Sequence, residues 1–338
     1  MNAPYLTRPA AWDDVTAVVE LRNASSQNTR GRDVTAVHWQ KRHWYDTQIN
    51  LEEDSLLVFD GPVPIAYAEI SSEFPYVLYE MAGAVHPDYR GQGLGTRLIN
   101  WAEERANQTV DRAPQGTAVF LHNSLFDSNA PGRALFAGQG YEDARQFVYL
   151  QIFMAERPPQ PDFPPGIDVR PLQSRDWSKL GPAMSEAFKD HWAVVDDAGE
   201  EPEAEPDRPN PREKDPGAFN SDYFNSPTLC FVAWDGDEVV GAALCNKTTV
   251  EFPGSGYLGS LSIRPRWRRM GVGRGLTLHA LRAFYDQGIT HVLTDTDGDS
   301  LTGAYRVYLN AGMAIFRQEH VYEKCIRPGR DLLRRDMV

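Results

Sequence analysis

The sequence holds only three cysteines in 338 residues, Cys230, Cys245 and Cys325. They are too few and too far apart for a disulfide framework or a cysteine metal site, so a reducing, cytoplasmic setting is expected. No run of 18 apolar residues occurs, and no membrane span or membrane partner is expected. The first residues lack the basic-then-apolar pattern of a secretory leader. Basic charge is scarce: 34 Lys and Arg face 47 Asp and Glu, a net charge of −13. That balance argues against nucleic acid as a partner. His-Glu-x-x-His is absent and His86, His122 and His320 stand alone, so no catalytic metal is expected.

What the chain does have is one short stretch used twice. The first copy runs Val85-His86-Pro87-Asp88-Tyr89-Arg90-Gly91-Gln92-Gly93-Leu94-Gly95-Thr96. The second runs Ile263-Arg264-Pro265-Arg266-Trp267-Arg268-Arg269-Met270-Gly271-Val272-Gly273-Arg274. Each leaves an apolar strand, passes a proline and Arg-x-x-Gly-x-Gly, and enters an amphipathic helix. Glycine lets backbone N–H groups approach a ligand closely. The N–H groups that open a helix have no intrahelical partner and carry the positive end of its dipole. Together these make an anion site suited to a pyrophosphate, with Arg90 and Arg268 expected to contact phosphate. Neither copy has the lysine of a Walker loop. Glycines at 91, 93 and 95, and at 271, 273 and 275, do not give the Gly-x-Gly-x-x-Gly of a dinucleotide site.

The repeat covers nearly the whole chain. Tyr5-Leu6-Thr7-Arg8-Pro9 before Asp13-Asp14 pairs with Ile167-Asp168-Val169-Arg170-Pro171 before Asp176, each a strand leading into a capped helix, over 13–22 and 176–188. Strands follow at 55–59 and 65–70, and at 230–234 and 239–246, joined by Gly-containing turns. After the motif come a buried strand (118–121 or 292–294), a helix stopped by glycine near Gly140 or Gly312, and last strands at 147–154 and 314–325. The Pro-rich run 157–166 reads as a stiff linker between domains at 1–156 and 167–330. An insertion at 195–217 carries nine carboxylates against three basic residues. It reads as a solvated loop, or as a lid favouring a cationic amine.

The two Arg-x-x-Gly-x-Gly stretches, with their strand ends and helices, resemble the pyrophosphate motif of the GNAT superfamily of acyl-CoA-dependent N-acetyltransferases. The resemblance implies an α/β fold of two tandem domains, each a mixed, mostly antiparallel sheet flanked by helices. The co-substrate implied is acetyl-CoA, held at residues 90–96 and 268–274. Backbone groups of Ala84 and Val85, and of Leu261, Ser262 and Ile263, would meet the pantetheine and thioester. Asn129 matches a frequent CoA contact; the second half has Leu301 there, with Asp299 and Ser300 just before it. Tyr308 sits where the family carries the tyrosine that protonates the leaving thiolate; the first half has Phe136 there, which cannot donate a proton. For a base, the first half offers Glu80, beside Tyr79, if a bulge re-aims it. The second half has Tyr257 at that place and offers Asp297, with Asp295 nearby.

The expected function is acetyl transfer to an amine, a small molecule, in a ternary complex, with catalysis in the second half as in tandem proteins of this superfamily. The alternatives are an acyl-CoA sensor or scaffold without catalysis, and catalysis in the first half. Two joined copies form a pseudo-dimer, so a monomer suffices, though a homodimer fits as well.

Overall fold

The computed structural model describes residues 5–47, 49–195, 227–299 and 304–335. The chain divides into two compact units that do not coincide with its two halves. Unit 1 takes the chain up to Arg145, Val195, and then His320–Leu333; unit 2 takes Gln146–Val194 and the later stretch up to Glu319.

In unit 1, β1 (Leu6–Arg8), β2 (Ser55–Asp60), β3 (Val63–Ser72), β4 (Leu78–Val85) and β5 (Val119–Phe126) lie side by side in chain order. The first four are antiparallel, and β4 and β5 are parallel. One face packs on α1 (Val15–Arg30) and α2 (Val37–Asp46), which follow β1 and precede the short α3 (Leu51–Asp54). Val18, Leu21 and Trp44 meet Leu57, Tyr67 and Ala84 there. The other face packs on α4 (Leu94–Thr109): Leu94, Leu98 and Ile99 meet Ala66, Ala68, Tyr79 and Met81. The first helix runs past its expected end at Arg22 because Asn23 and Ser26 are held inside. The Asn23 Oδ1 accepts from the N–H groups of Val34 and Thr35, and Ser26 is buried. Gly31, at φ +69°, ends it in the left-handed conformation that suits glycine.

Unit 2 repeats this plan. β7 (Ile167–Pro171), β8 (Phe231–Asp235), β9 (Glu238–Asn246), β10 (Gly256–Ile263) and β11 (His291–Asp297) keep the same order and pairing sense. α6 (Trp177–Phe188) covers one face and α7 (Val272–Asp286) the other. Among the described residues the remaining α-helices are α5 (Ala130–Gly138), in unit 1, and α8 (Tyr305–Leu309), in unit 2.

The units are closed by exchanged strands. In unit 1 the outer edge of β5 is flanked by residues 320–327 of β12 (Ala314–Arg327), where His122 meets Glu323 at 2.6 Å. In unit 2 the outer edge of β11 pairs with β6 (Glu142–Phe153), from Asp297↔Phe147 to His291↔Phe153. The boundaries at 1–156 and 167–330 therefore do not enclose the compact units. An unpaired fifth strand is an exposed edge, and the last strands of two similar halves fit either copy. The run 157–166, expected to stand between the units, belongs to unit 2. Arg157 pairs with Asp286, Arg282 donates to the Pro158 carbonyl, and the Phe163 ring lies 2.5 Å from where a Cβ on Gly275 would be. Residues 196–217 of the expected lid lie outside the described residues.

Candidate active site

In unit 2 the fourth and fifth strands form a fork. β10 pairs with β11 only at Gly256↔Val292 and Tyr257↔Leu293, yet stays paired with β9 as far as Ile263↔Gly241. Beyond the last pair, the edge of residues 259–263 that faces β11 has no strand partner among the described residues, so its backbone groups, other than the Ile263 carbonyl held by Arg268, can meet a ligand. At the vertex the Thr294 hydroxyl donates to the Leu258 carbonyl at 2.8 Å. Tyr308, brought in by α8, is buried with its side chain near Thr294. Burial pushes its phenol well above the ordinary range, so it keeps its proton.

The strand carries one extra residue here. The register of β10 on β9 shifts between Leu258 and Ser260, a bulge centred on Gly259. Side chains alternate along a strand, so the bulge changes the face of everything before it. Leu261, Ile263 and Leu258 pack with α7, and Tyr257 turns to the opposite face. There its hydroxyl donates to Asp295 on β11. Burial raises the Asp295 carboxyl above the usual carboxylate range, against the opposing pull of Tyr257 and Arg317.

The Gly-rich turn closes the same end. Arg269 and Gly271 both take left-handed φ values, +61° and +90°, and Gly271 caps α7. The first intrahelical bond runs from the Gly275 N–H to the Gly271 carbonyl at 2.9 Å, leaving the N–H groups of Val272, Gly273 and Arg274 at the helix mouth. Gly273 has open room: a Cβ would stand 3.6 Å from both Ile263 and Val307. Met270 is exposed at the tip of the turn, and Arg274 Nε reaches the Asn310 carbonyl at 3.4 Å. Ser262 is buried beside Gly241, where a Cβ would collide with its carbonyl oxygen.

Arg268 does not behave as expected. Its Nε donates to the Ile263 carbonyl at 3.1 Å, and its Nη2 to the Ala187 carbonyl at 2.8 Å and to Asp190 at 3.0 Å. Arg90 is held in the same manner in unit 1, donating to Ser25 Oγ at 2.9 Å and to Asn28. Both guanidinium groups brace the turn against the first helix of their unit, and what the turn offers an anion is its backbone.

Unit 1 has the turn but a different fork. Gly91 and Gly93 are left-handed, at φ +74° and +81°, and the N–H groups of Leu94, Gly95 and Thr96 open α4. Gln92 accepts from the Tyr5 hydroxyl at 2.7 Å. A Cβ on Gly95 would meet Leu135 at 2.6 Å. β4 holds its register on β3 from Tyr79 to Val85 with no bulge. The bulge that was to re-aim Glu80 is thus in the other unit, and Glu80 is exposed opposite Ser71 and His122. Asn123 donates to the Met81 carbonyl at 2.8 Å, as Thr294 does to Leu258. That correspondence makes Tyr257 the counterpart of Glu80 rather than of Tyr79, because β10 carries the extra residue. Phe136 is buried edge-on to Tyr141, 4.9 Å between centroids. Ala84 is buried and Val85 half-buried at the open end of the fork. Asn129 caps α5, its Oδ1 accepting from the Gly132 N–H at 3.1 Å, which accounts for it without a ligand.

Asp297 is buried at the end of β11, where its Oδ1 accepts from the Asp299 N–H at 3.0 Å and holds the turn. Ser300 and Leu301 lie outside the described residues. Among the described residues no group of three His, Cys, Asp or Glu is placed to hold a metal, and no helix is long and apolar enough to cross a membrane. The pair Tyr257 and Asp295 was not foreseen. The available signal was a carboxylate in an otherwise buried strand, which is uncommon unless it is paired.

A family model for the acetyltransferase (GNAT) family matches residues 17–141 and 191–313. Mycothiol acetyltransferase of Thermobispora bispora is 25% identical over 281 residues, covering 80% of this chain and 83% of the relative. That of Tsukamurella paurometabola is 27% identical over 286 residues, covering 80% and 89%. A GCN5-related N-acetyltransferase from Sphaerobacter thermophilus superposes with a TM-score of 0.74 at 27% identity, covering 97% of this chain and 98% of that one. A tandem GNAT protein from the clavulanic acid biosynthesis pathway superposes with a TM-score of 0.67 at 14% identity, covering 96% of this chain and all of that one.

Proposed function

Because the chain belongs to the acetyltransferase (GNAT) family, as a tandem acyl-CoA-dependent N-acetyltransferase, we propose that unit 2 moves an acetyl group from acetyl-CoA to the amine of a small molecule. The observation that carries this is the fork of unit 2, open beyond Tyr257↔Leu293 with the Tyr308 hydroxyl at its vertex. The thioester lies along the free edge of residues 259–263, among them Leu261, Ser262 and Ile263. The pyrophosphate meets the N–H groups at the start of α7. A neutral amine attacks the carbonyl carbon, the C–S bond breaks, and Tyr308 gives its proton to the departing sulfur. Holding amine and thioester together supplies much of the rate. The relatives named mycothiol acetyltransferase support a small-molecule acceptor, and three free cysteines suit the cytoplasm. Unit 1 keeps the turn but has Phe136 in place of the tyrosine and no bulge, which supports binding of CoA without turnover there.

Tyr308→Phe tests this. Expected is a fall in kcat of about 10²-fold, the scale of general acid catalysis, with acetyl-CoA affinity by calorimetry nearly unchanged. Unchanged turnover in Tyr308→Phe, with loss in Glu80→Gln, moves catalysis to unit 1. Binding without any thiol release from acetyl-CoA leaves a sensor.

A further inference from the structure

The base is the part of the reaction that neither Glu80 nor Asp297 supplies. Glu80 sits in the fork without Tyr308, and Asp297 is engaged in a turn. We propose that Tyr257 and Asp295 form a proton relay that deprotonates the acceptor amine in unit 2; this rests on the acetyl-transfer reading above.

Three observations carry it. First, the bulge at Gly259 turns Tyr257 out of the α7 face and into the place that Glu80 holds in unit 1. Bulges recur beside active sites because they re-aim a side chain in this way. Second, the Tyr257 hydroxyl donates to Asp295 across the vertex, two residues beyond the last β10–β11 pair. Tyr308 approaches the same vertex from the opposite face of the sheet, near Thr294. A proton donor and a proton acceptor thus flank the point where the strands part. Third, the groups around Asp295 favour a cation. Glu319 accepts from Tyr149 at 2.9 Å, Glu251 pairs with Arg317, and Asp297 lies two residues on. Arg317 is thus engaged by Glu251, while Asp295 and Glu319 both bear on Tyr149, which suits an amine arriving as ammonium.

The step balances without another reagent. The ammonium releases one proton to solvent, and the neutral amine gives a second to the Tyr257 oxygen as the Tyr257 hydroxyl proton passes to Asp295. The nitrogen forms the C–N bond, the C–S bond breaks, and its electron pair goes to sulfur, which takes the Tyr308 proton. The proton on Asp295 then returns to Tyr308 through solvent. Tyr257 is the catalytic residue, and Asp295 acts through it. Burial lifts both above their ordinary ranges, so Asp295 is a better base than an exposed carboxylate.

The test is a double-mutant cycle on the full chain, reading thiol release from acetyl-CoA with glucosamine, spermidine and cysteine methyl ester as acceptors. Asp295→Asn keeps the hydrogen bond but cannot take a proton; Tyr257→Phe removes the relay atom. Each single variant is expected to lose about 10²-fold in kcat, with the KM for acetyl-CoA and the melting temperature little changed. The double variant is expected to be no worse than either single one, as for groups acting as a unit. Asp295→Asn should also lose the acid limb of the pH–rate profile, and Asp295→Glu should recover part of the rate. Wild-type turnover in Asp295→Asn, or losses that multiply in the double variant, would overturn the relay while leaving acetyl transfer intact. No thiol release by the wild type with any of the three amines would overturn both.

Discussion

Glu69 is buried on β3 in unit 1, among donors from two helices. Trp44 Nε1 donates to it at 2.7 Å, His43 Nε2 stands at 2.9 Å, Arg22 and Gln40 Nε2 each at 3.4 Å, and the Tyr67 hydroxyl donates as well. Burial alone would raise its carboxyl, but His43, Arg22 and Tyr67 outweigh burial and hold it at about 2, down from 4.5. A carboxyl depressed in the fold stabilises it fully above the unfolded value, and that contribution fades as pH falls from about 4.5 toward 2. A shift of this size is worth about 3 kcal/mol. Glu69→Gln should therefore cost about 3 kcal/mol in urea denaturation at pH 7. Its stability should then change much less than the wild type's between pH 4.5 and 2.5, because the titrating group is gone. A cost below 1 kcal/mol would mean that the donors are as well served by an amide.

At the scale of the element, the strand–turn–helix was readable because it is local. A proline, two spaced glycines and a helical stripe dictate their own geometry, and the left-handed Gly93 and Gly271 stand where the motif requires. The same logic predicts the effect of a charge there. Gly271→Asp sets a carboxylate and a strained residue at the mouth of α7, and should abolish turnover. Gly93→Asp should leave turnover near wild type and remove any second acetyl-CoA in a calorimetric titration. The reverse pattern would exchange the roles of the units. Less legible was where each side chain points. The sequence could not show that Arg268 turns back to Asp190, or that Asn129 would serve as a helix cap. Nor could counting find the bulge. One residue added to β10 keeps every type of residue in place and reverses the face of Tyr257, so the spacing that aligned it with Tyr79 misled. Asp295 gained meaning only once Tyr257 faced it.

At the scale of the whole molecule, the repeat and the order of elements were legible, but the partner of each fifth strand was not. Strand pairing at long range leaves no mark in local pattern, and two similar halves offer equivalent last strands. Unit 1 needs residues 320–327: Glu323 answers the buried His122, Lys324 reaches Glu103 at 2.9 Å, and Arg327 donates to the Thr117 and Val110 carbonyls. Residues 1–156 expressed alone should therefore be insoluble or molten by near-ultraviolet circular dichroism. Adding residues 157–338 as a separate chain during refolding should restore a cooperative melt. A soluble, cooperatively melting 1–156 would show that the exchanged strand is dispensable. The exchange also sets a timetable for synthesis. A ribosome that has finished Arg145 has still to make roughly 175 residues before His320 appears, which takes about 10–35 s at ordinary elongation rates. For that interval β5 waits with its edge uncovered, and the nascent chain depends on whatever in the cell shelters it.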